Sequence, residues 1–309
     1  MGRRTPEDVR YATFERSAWK ALRGDTPLSL SPSEIDAVRS LNDPLTKDEV
    51  EDIYLPLDRL LRFLHGTRGA ASAEDRFLSR APVPKPIIVG IAGSVAVGKS
   101  TIARLIETLC LRWPEVPRVS LVATDGFLLP NEALKDRGLM DRKGFPESYD
   151  AKRLIDFLTQ LKLGAPKLRI PLYSHLEYDV LRDSEQLVEA PHIVLLEGLN
   201  ILQSTNRGTL VSDFIDFSIY VDASPEDLKR WYIERFLTLY RTTFISPRSY
   251  FHKLSNASTE TAVSFASERW DTINLKNLRE NILPTRERAS LILKKAADHH
   301  VERVLMRQF

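Results

Sequence analysis

Eight consecutive residues, Gly93-Ser94-Val95-Ala96-Val97-Gly98-Lys99-Ser100, read G-x-x-x-x-G-K-[ST] and leave few folds open to the chain. The pattern works only between a strand and a helix, and both are predicted here. An apolar run, Ile87 to Ala92, leads in, and the helical pattern Thr101-Ile102-Ala103-Arg104-Leu105-Ile106 leads out. The glycines let the backbone turn tightly enough for successive N–H groups to face a phosphate. The following helix adds the positive end of its dipole. In such a loop Lys99 reaches the β- and γ-phosphates and the Ser100 hydroxyl ligates Mg²⁺, so the chain is expected to bind a nucleoside triphosphate.

Further apolar runs follow at Val119–Thr124, His192–Leu196, Asp216–Asp222, Ala289–Leu293 and Val301–Leu305. Helical stretches separate most of them: about Asp150 to Leu163, a helix opened by Ser224-Pro225-Glu226-Asp227, and a zone over about 258–280. Short buried strands alternating with helices predict an α/β fold of the P-loop NTPase type: a doubly wound, mainly parallel sheet with helices on both faces. Ligands of such sheets sit beyond the carboxyl ends of the strands. Two runs end there in acids, Asp125 and Glu197. Asp125, beside the γ-phosphate, is placed to accept a hydroxyl proton or to hold Mg²⁺. Glu197 occupies the place of a Walker B acid and reaches the metal through water. Charge on a transferring phosphoryl group also needs cations. The candidates are Arg235, among Trp231, Tyr232 and Phe236, and the glycine-punctuated loop with Arg137, Arg142 and Lys143.

Residues 1–80 read as a polar, helical N-terminal extension packed on the main domain. Ser31 or Ser33 caps one helix, and Thr46-Lys47-Asp48-Glu49 is a capping box opening another. Pro56 is expected to kink or split the second helix. The three prolines of Ala81–Pro86 mark the boundary of a kinase domain over 81–309. The chain has 44 basic and 42 acidic residues, a formal net charge of +2 and no long basic block. That argues against a nucleic-acid motor or other dedicated nucleic-acid partner. A GTPase switch lacks its N-K-x-D base-reading motif. The single Cys110 lies among apolar residues and is expected to be a buried free thiol. No secretory segment is apparent, and no apolar run approaches the roughly 20 residues that cross a bilayer. A cytoplasmic enzyme with no membrane contact is expected.

Several segments together resemble bacterial type I pantothenate kinases. They are Ile91 to Thr101, Thr124-Asp125-Gly126-Phe127-Leu128, Arg142 to Tyr149 and Pro171-Leu172-Tyr173-Ser174-His175. Leu196-Glu197-Gly198-Leu199-Asn200, Trp231-Tyr232 and Asn281 to Arg286 extend the likeness from about Phe14 to the C-terminus. The resemblance implies ATP-dependent phosphorylation of the primary hydroxyl of pantothenate, the entry step to coenzyme A, by a homodimer that coenzyme A inhibits in competition with ATP. It implies Asp125 as base, with Lys99 and Arg235 steadying the phosphoryl group. Tyr173, His175, Tyr232 and Asn274 match positions that hold pantothenate. Asn42 and His299 match those flanking adenine, and Arg104 and His175 match positions in coenzyme A inhibition. Leu239 stands where some relatives carry Phe near the coenzyme A thiol end, and the link from Gln203 to Leu210 is shorter than in some members. Uridine kinase and phosphoribulokinase share the P-loop architecture but do not account for the Tyr-Ser-His and Trp-Tyr segments together.

Overall fold

The computed structural model describes residues 9–68, 77, 85–116, 118–204 and 208–309. Its strands are β1 (Tyr11–Glu15), β2 (Ile87–Gly93), β3 (Val119–Ala123), β4 (Lys167–Ser174), β5 (Asp179–Glu189), β6 (Ile193–Gly198), β7 (Phe217–Asp222), β8 (Leu291–Lys295) and β9 (Val301–Arg307). Seven of them form one sheet in the order β1-β9-β8-β7-β2-β6-β3. β2, which leads into the P-loop, is buried along its whole length between parallel neighbours β6 and β7. β3 and β8 extend the parallel set on either side. This arrangement brings the ends of β2, β3 and β6 to one edge, as the sequence predicts. The last two pairings, β8–β9 and β9–β1, are antiparallel.

The N-terminal segment departs from a purely helical extension. Tyr11-Ala12-Thr13-Phe14-Glu15 alternates buried and outward positions, the period of a strand, and β1 covers the free edge of β9. The Tyr11 hydroxyl anchors it by donating to the Ala289 carbonyl at 2.9 Å. Helices α1 (Arg16–Ala21) and α2 (Pro32–Val38) follow. Ser31 caps α2 reciprocally: its Oγ accepts from the Glu34 N–H, and Glu34 accepts from the Ser31 N–H. The capping box expected at Thr46 is only half formed. Thr46 Oγ1 accepts from the Glu49 N–H at 3.1 Å, but the buried Glu49 carboxylate turns away. It accepts from the Val301 N–H at 2.8 Å and pairs with Arg16, tying the helix to β9.

Pro56 does not split its helix. α3 (Lys47–Glu49) runs through a π-helical turn, Val50–Tyr54, into α4 (Leu55–Arg68). The Leu55 N–H reaches Val50 O, one residue further back than in an α-helix. Widening the turn there accommodates a residue that has no N–H and whose ring crowds the preceding turn. The proline-rich stretch over 81–84 lies outside the described residues.

α5 (Lys99–Cys110) leaves the P-loop, and Cys110 at its end is buried with a free thiol whose pKa burial pushes well up. α6 (Asn131–Asp136) and two single 3₁₀ turns occupy the expected basic loop. α7 (Ala151–Lys162) precedes β4 and β5, which pair antiparallel as a separate two-stranded sheet. α8 (Pro225–Arg241) starts as predicted, with Ser224 Oγ accepting from the Asp227 N–H at 3.1 Å. α9 (Thr259–Arg269) continues through a π turn into α10 (Leu275–Asn277). Among the described residues no helix is long and apolar enough to cross a membrane.

Candidate active site

The P-loop closes through backbone conformations that suit glycine. Gly93 has φ +143° and Gly98 φ +97°. Lys99 heads α5, and its buried ammonium folds back to donate to the Ser94 carbonyl at 2.8 Å. Burial lowers the Lys99 pKa, while Glu197 and Asp125 pull it back up. Ser100 Oγ donates to Glu197 Oε1 at 2.6 Å. Glu197 lies level with Ile91 on β2 and Ala123 on β3, so sheet register places it beside the loop. Asp125 sits in the 3₁₀ turn Thr124–Phe127 that ends β3. The Tyr149 hydroxyl makes a long contact of 3.4 Å to its Oδ1. Burial, and then Asp125 itself, raises the Tyr149 pKa well above the usual value and keeps the phenol a neutral donor.

The oxygens of Ser100 and Glu197 are hard donors suited to Mg²⁺, which takes few protein ligands and completes its shell with phosphate oxygens and water. Among the described residues no group of three or more His, Cys, Asp or Glu side chains is arranged to hold a metal alone.

One cleft of about 660 Å³ takes in these residues. Lys99, Ser100, Asp125, Glu197 and Arg235 line it together with Tyr173, His175, Tyr232 and Asn274. β4 ends in Tyr173, whose ring meets the His175 ring edge-on at 5.2 Å. Burial lowers the His175 pKa despite the pull of Asp125, so the imidazole is neutral near pH 7. Burial raises the pKa of Tyr232, on α8, and nearby Asn274 offsets part of the rise. Beyond them Phe236, Phe244, Phe251 and Phe265 form an apolar wall.

Lys143 is a further lining residue that the sequence alone did not separate from its basic loop. It is buried, donates to Asn131 Oδ1 at 2.6 Å and lies 4.1 Å from the Tyr178 ring centre. Burial brings its pKa down to about 8. Tyr149, Tyr178 and Asn277 also line the cleft. The segment Arg142 to Tyr149 pointed to this loop, but no local pattern says which of its side chains turn inward.

The residues expected around adenine and coenzyme A are more dispersed. Asn42 lines the mouth of the P-loop with Lys99, Trp231 and Arg235, and exchanges hydrogen bonds with Thr238. His299 stands behind that wall, stacked on Trp231 with 3.9 Å between ring centres. Arg104 holds the segment that leads to Asn42. Its Nε donates to the Val38 carbonyl at 3.0 Å and its guanidinium to Ser40 Oγ at 2.7 Å.

Residues 88–238 match the Phosphoribulokinase / Uridine kinase family. A pantothenate kinase from Shewanella denitrificans is 50% identical over 309 residues, covering 98% of both chains. One from Brevibacillus brevis is 49% identical over 308 residues, covering 96% of both. The chain belongs to the pantothenate kinase family. Near-complete coverage means that the likeness to pantothenate kinases includes the N-terminal strand and helices as well as the phosphate loop. At the level of fold, a candidate fructose transport system kinase from Silicibacter sp. TM1040 superposes with a TM-score of 0.51 at 23% identity, over 67% of this chain and 89% of that one. This pantothenate kinase family member therefore carries a P-loop kinase fold.

Proposed function

We propose that the chain transfers the γ-phosphoryl group of ATP to the primary hydroxyl of pantothenate, giving 4′-phosphopantothenate, the entry step to coenzyme A. The observation carrying this reading is a single cleft lined both by Lys99, Asp125, Glu197 and Arg235 and by Tyr173, His175, Tyr232 and Asn274. Asp125 accepts the hydroxyl proton as the oxygen attacks. Lys99 and Arg235 offset charge on the phosphoryl oxygens and hold the donor in line. The neutral His175, the Tyr173 phenol and the Tyr232–Asn274 pair supply the hydrogen bonds that an acceptor with a carboxylate, an amide and two hydroxyls requires. Ser100 and Glu197 would hold Mg²⁺, which when bound screens the β- and γ-phosphates. Asn42 and His299 frame the adenine side, with His299 acting through Trp231.

Coenzyme A carries phosphates of its own and, on this reading, competes with ATP at the P-loop. Arg104 contributes through the 38–40 segment that it holds, and His175 from inside the cleft. The working form is a cytoplasmic homodimer. A coupled ADP-release assay tests the reading. Turnover is expected with pantothenate and Mg²⁺, and added coenzyme A should raise the apparent KM for ATP. Turnover with uridine or ribulose 5-phosphate and none with pantothenate would overturn it.

A further inference from the structure

Behind the P-loop lies a buried ion pair that the reaction itself does not use. Lys295 ends β8, with its side chain 4% exposed. Its ammonium donates to Asp43 Oδ1 at 2.9 Å and to the Val97 carbonyl at 3.2 Å. The Trp231 ring covers it at 5.6 Å. Asp43, equally buried, comes from the N-terminal segment, two residues before Leu45 packs into the core. Its other oxygen rests against Gly98 so closely that a Cβ there would lie 2.5 Å from it. Thr101, in the first turn of α5, accepts from the Ser40 N–H at 3.0 Å and so ties the segment that carries Asp43 to the helix. His299 Nδ1 is 3.6 Å from the same carboxylate, and Arg235 lines the adjoining mouth.

Two consequences follow from this geometry. A peptide unit is planar and trans, so its C=O and the next N–H point in opposite directions. Fixing the Val97 carbonyl toward Lys295 therefore turns the Gly98 N–H toward the cleft, where phosphate binds. In addition, a bare carboxylate against Gly98 would repel a triphosphate through material too dry to screen it. Lys295 cancels that charge.

We propose that Asp43 and Lys295 form a positioning pair for the P-loop, orienting the Val97–Gly98 peptide toward the ATP phosphates and neutralising the carboxylate that packs the N-terminal segment against it. The inference rests on the reading of this cleft as an ATP site. It also makes the N-terminal segment part of that site rather than an appendage.

Charge sign separates this role from plain structural support. Lys295→Gln leaves Asp43 unpaired against the loop, whereas Asp43→Asn leaves a cation there. ATP binding by calorimetry, with KM for ATP and for pantothenate, is compared in wild type, both single variants and the double variant. Lys295→Gln is expected to weaken ATP binding by about tenfold or more, with KM for pantothenate within about twofold of wild type. Asp43→Asn should bind ATP within about threefold of wild type or more tightly, and the double variant should recover most of the loss. Equal weakening in the two single variants, or unchanged ATP binding in a folded Lys295→Gln, would overturn the proposal. If Lys295→Gln is recovered unfolded, Asp43→Asn decides alone, and a loss of ATP affinity beyond threefold rejects the pairing role. Absence of ATP binding in the wild-type protein would instead reject the reading of the cleft.

Discussion

Asp125 faces the cleft from the end of β3, with the Tyr149 hydroxyl 3.4 Å from its Oδ1. A carboxylate there can accept the proton of a hydroxyl bound beside it. Asp125→Asn keeps its size and removes that capacity. The variant is expected to lose about 10² to 10⁴ in kcat while binding ATP within a few fold of wild type. Steady-state kinetics with calorimetric ATP titration check this, and an unchanged kcat would remove Asp125 as base. Asp58 on α4 gives the opposite case. Burial pushes its carboxyl up to about 6, with the Trp113 indole N–H donating to it at 3.0 Å only partly compensating. Between the unfolded value near 4 and about 6 the folded chain holds a proton that the unfolded chain has released, so stability falls as pH rises through that window. Above it the cost is complete. Asp58→Asn mimics the protonated form and should raise stability at pH 7.5 by about 1–2 kcal/mol, with little gain near pH 4. Thermal melts at the two pH values provide the comparison, and an equal gain at both would exclude the ionisation account. Asp58 did not stand out in the sequence, and Lys143 was a candidate only as one of three basic residues of its loop, because burial of a charged residue is decided by elements distant along the chain.

At the scale of elements, the hairpin of β4 and β5 carries Tyr173 into the cleft and stands outside the main sheet. It is seated on the Asp125 turn where Gly126 meets the Pro171 carbonyl, at a spot too tight for a Cβ. Gly126→Ala is expected to push β4 outward, taking Tyr173 and His175 with it. KM for the acceptor should rise about tenfold or more, while ATP binding changes less, since the P-loop is untouched. An acceptor KM that stays put in a folded variant would show that the hairpin tolerates the displacement. The seat of this hairpin was not legible in the sequence, because close backbone approach leaves no mark beyond one glycine. Capping signals were more legible: Ser224 and Ser31 act locally and behave as written. Thr46-x-x-Glu49 is only half formed because Glu49 finds partners 250 residues away in β9 and its turn. Pro56 is absorbed by a π turn, a tertiary accommodation that a helix rule for isolated chains does not foresee.

For the whole molecule, the parallel core was readable because each of its strands is a short apolar run and their acids share one edge. β1 was not readable, since its five residues acquire a strand's role only by pairing with β9, some 290 residues later. That pairing bears on whether residues 1–80 are separable from the kinase domain. Trp19, Ile53, Leu57 and Leu61 belong to the same hydrophobic core as β2 and α5, each contributing about 1.5–3 kcal/mol of burial. Asp43 and Glu49 satisfy buried donors of the main sheet and its turns. Without this segment β9 would become an open edge, a template for association with other chains. Lys295 would lose its carboxylate and the Val301 N–H its acceptor in the interior. A chain beginning at residue 81 is therefore expected to aggregate on expression and, where soluble, to bind ATP at least tenfold more weakly than the full chain. Sedimentation and calorimetry on the shortened protein check both points. A monodisperse 81–309 chain with full ATP affinity would show that the N-terminal strand, the Asp43 contact and the Glu49 contact are dispensable. It would make the extension a domain apart. The shared core and the ion pair against the P-loop argue that the nucleotide site is built from both ends of the chain at once.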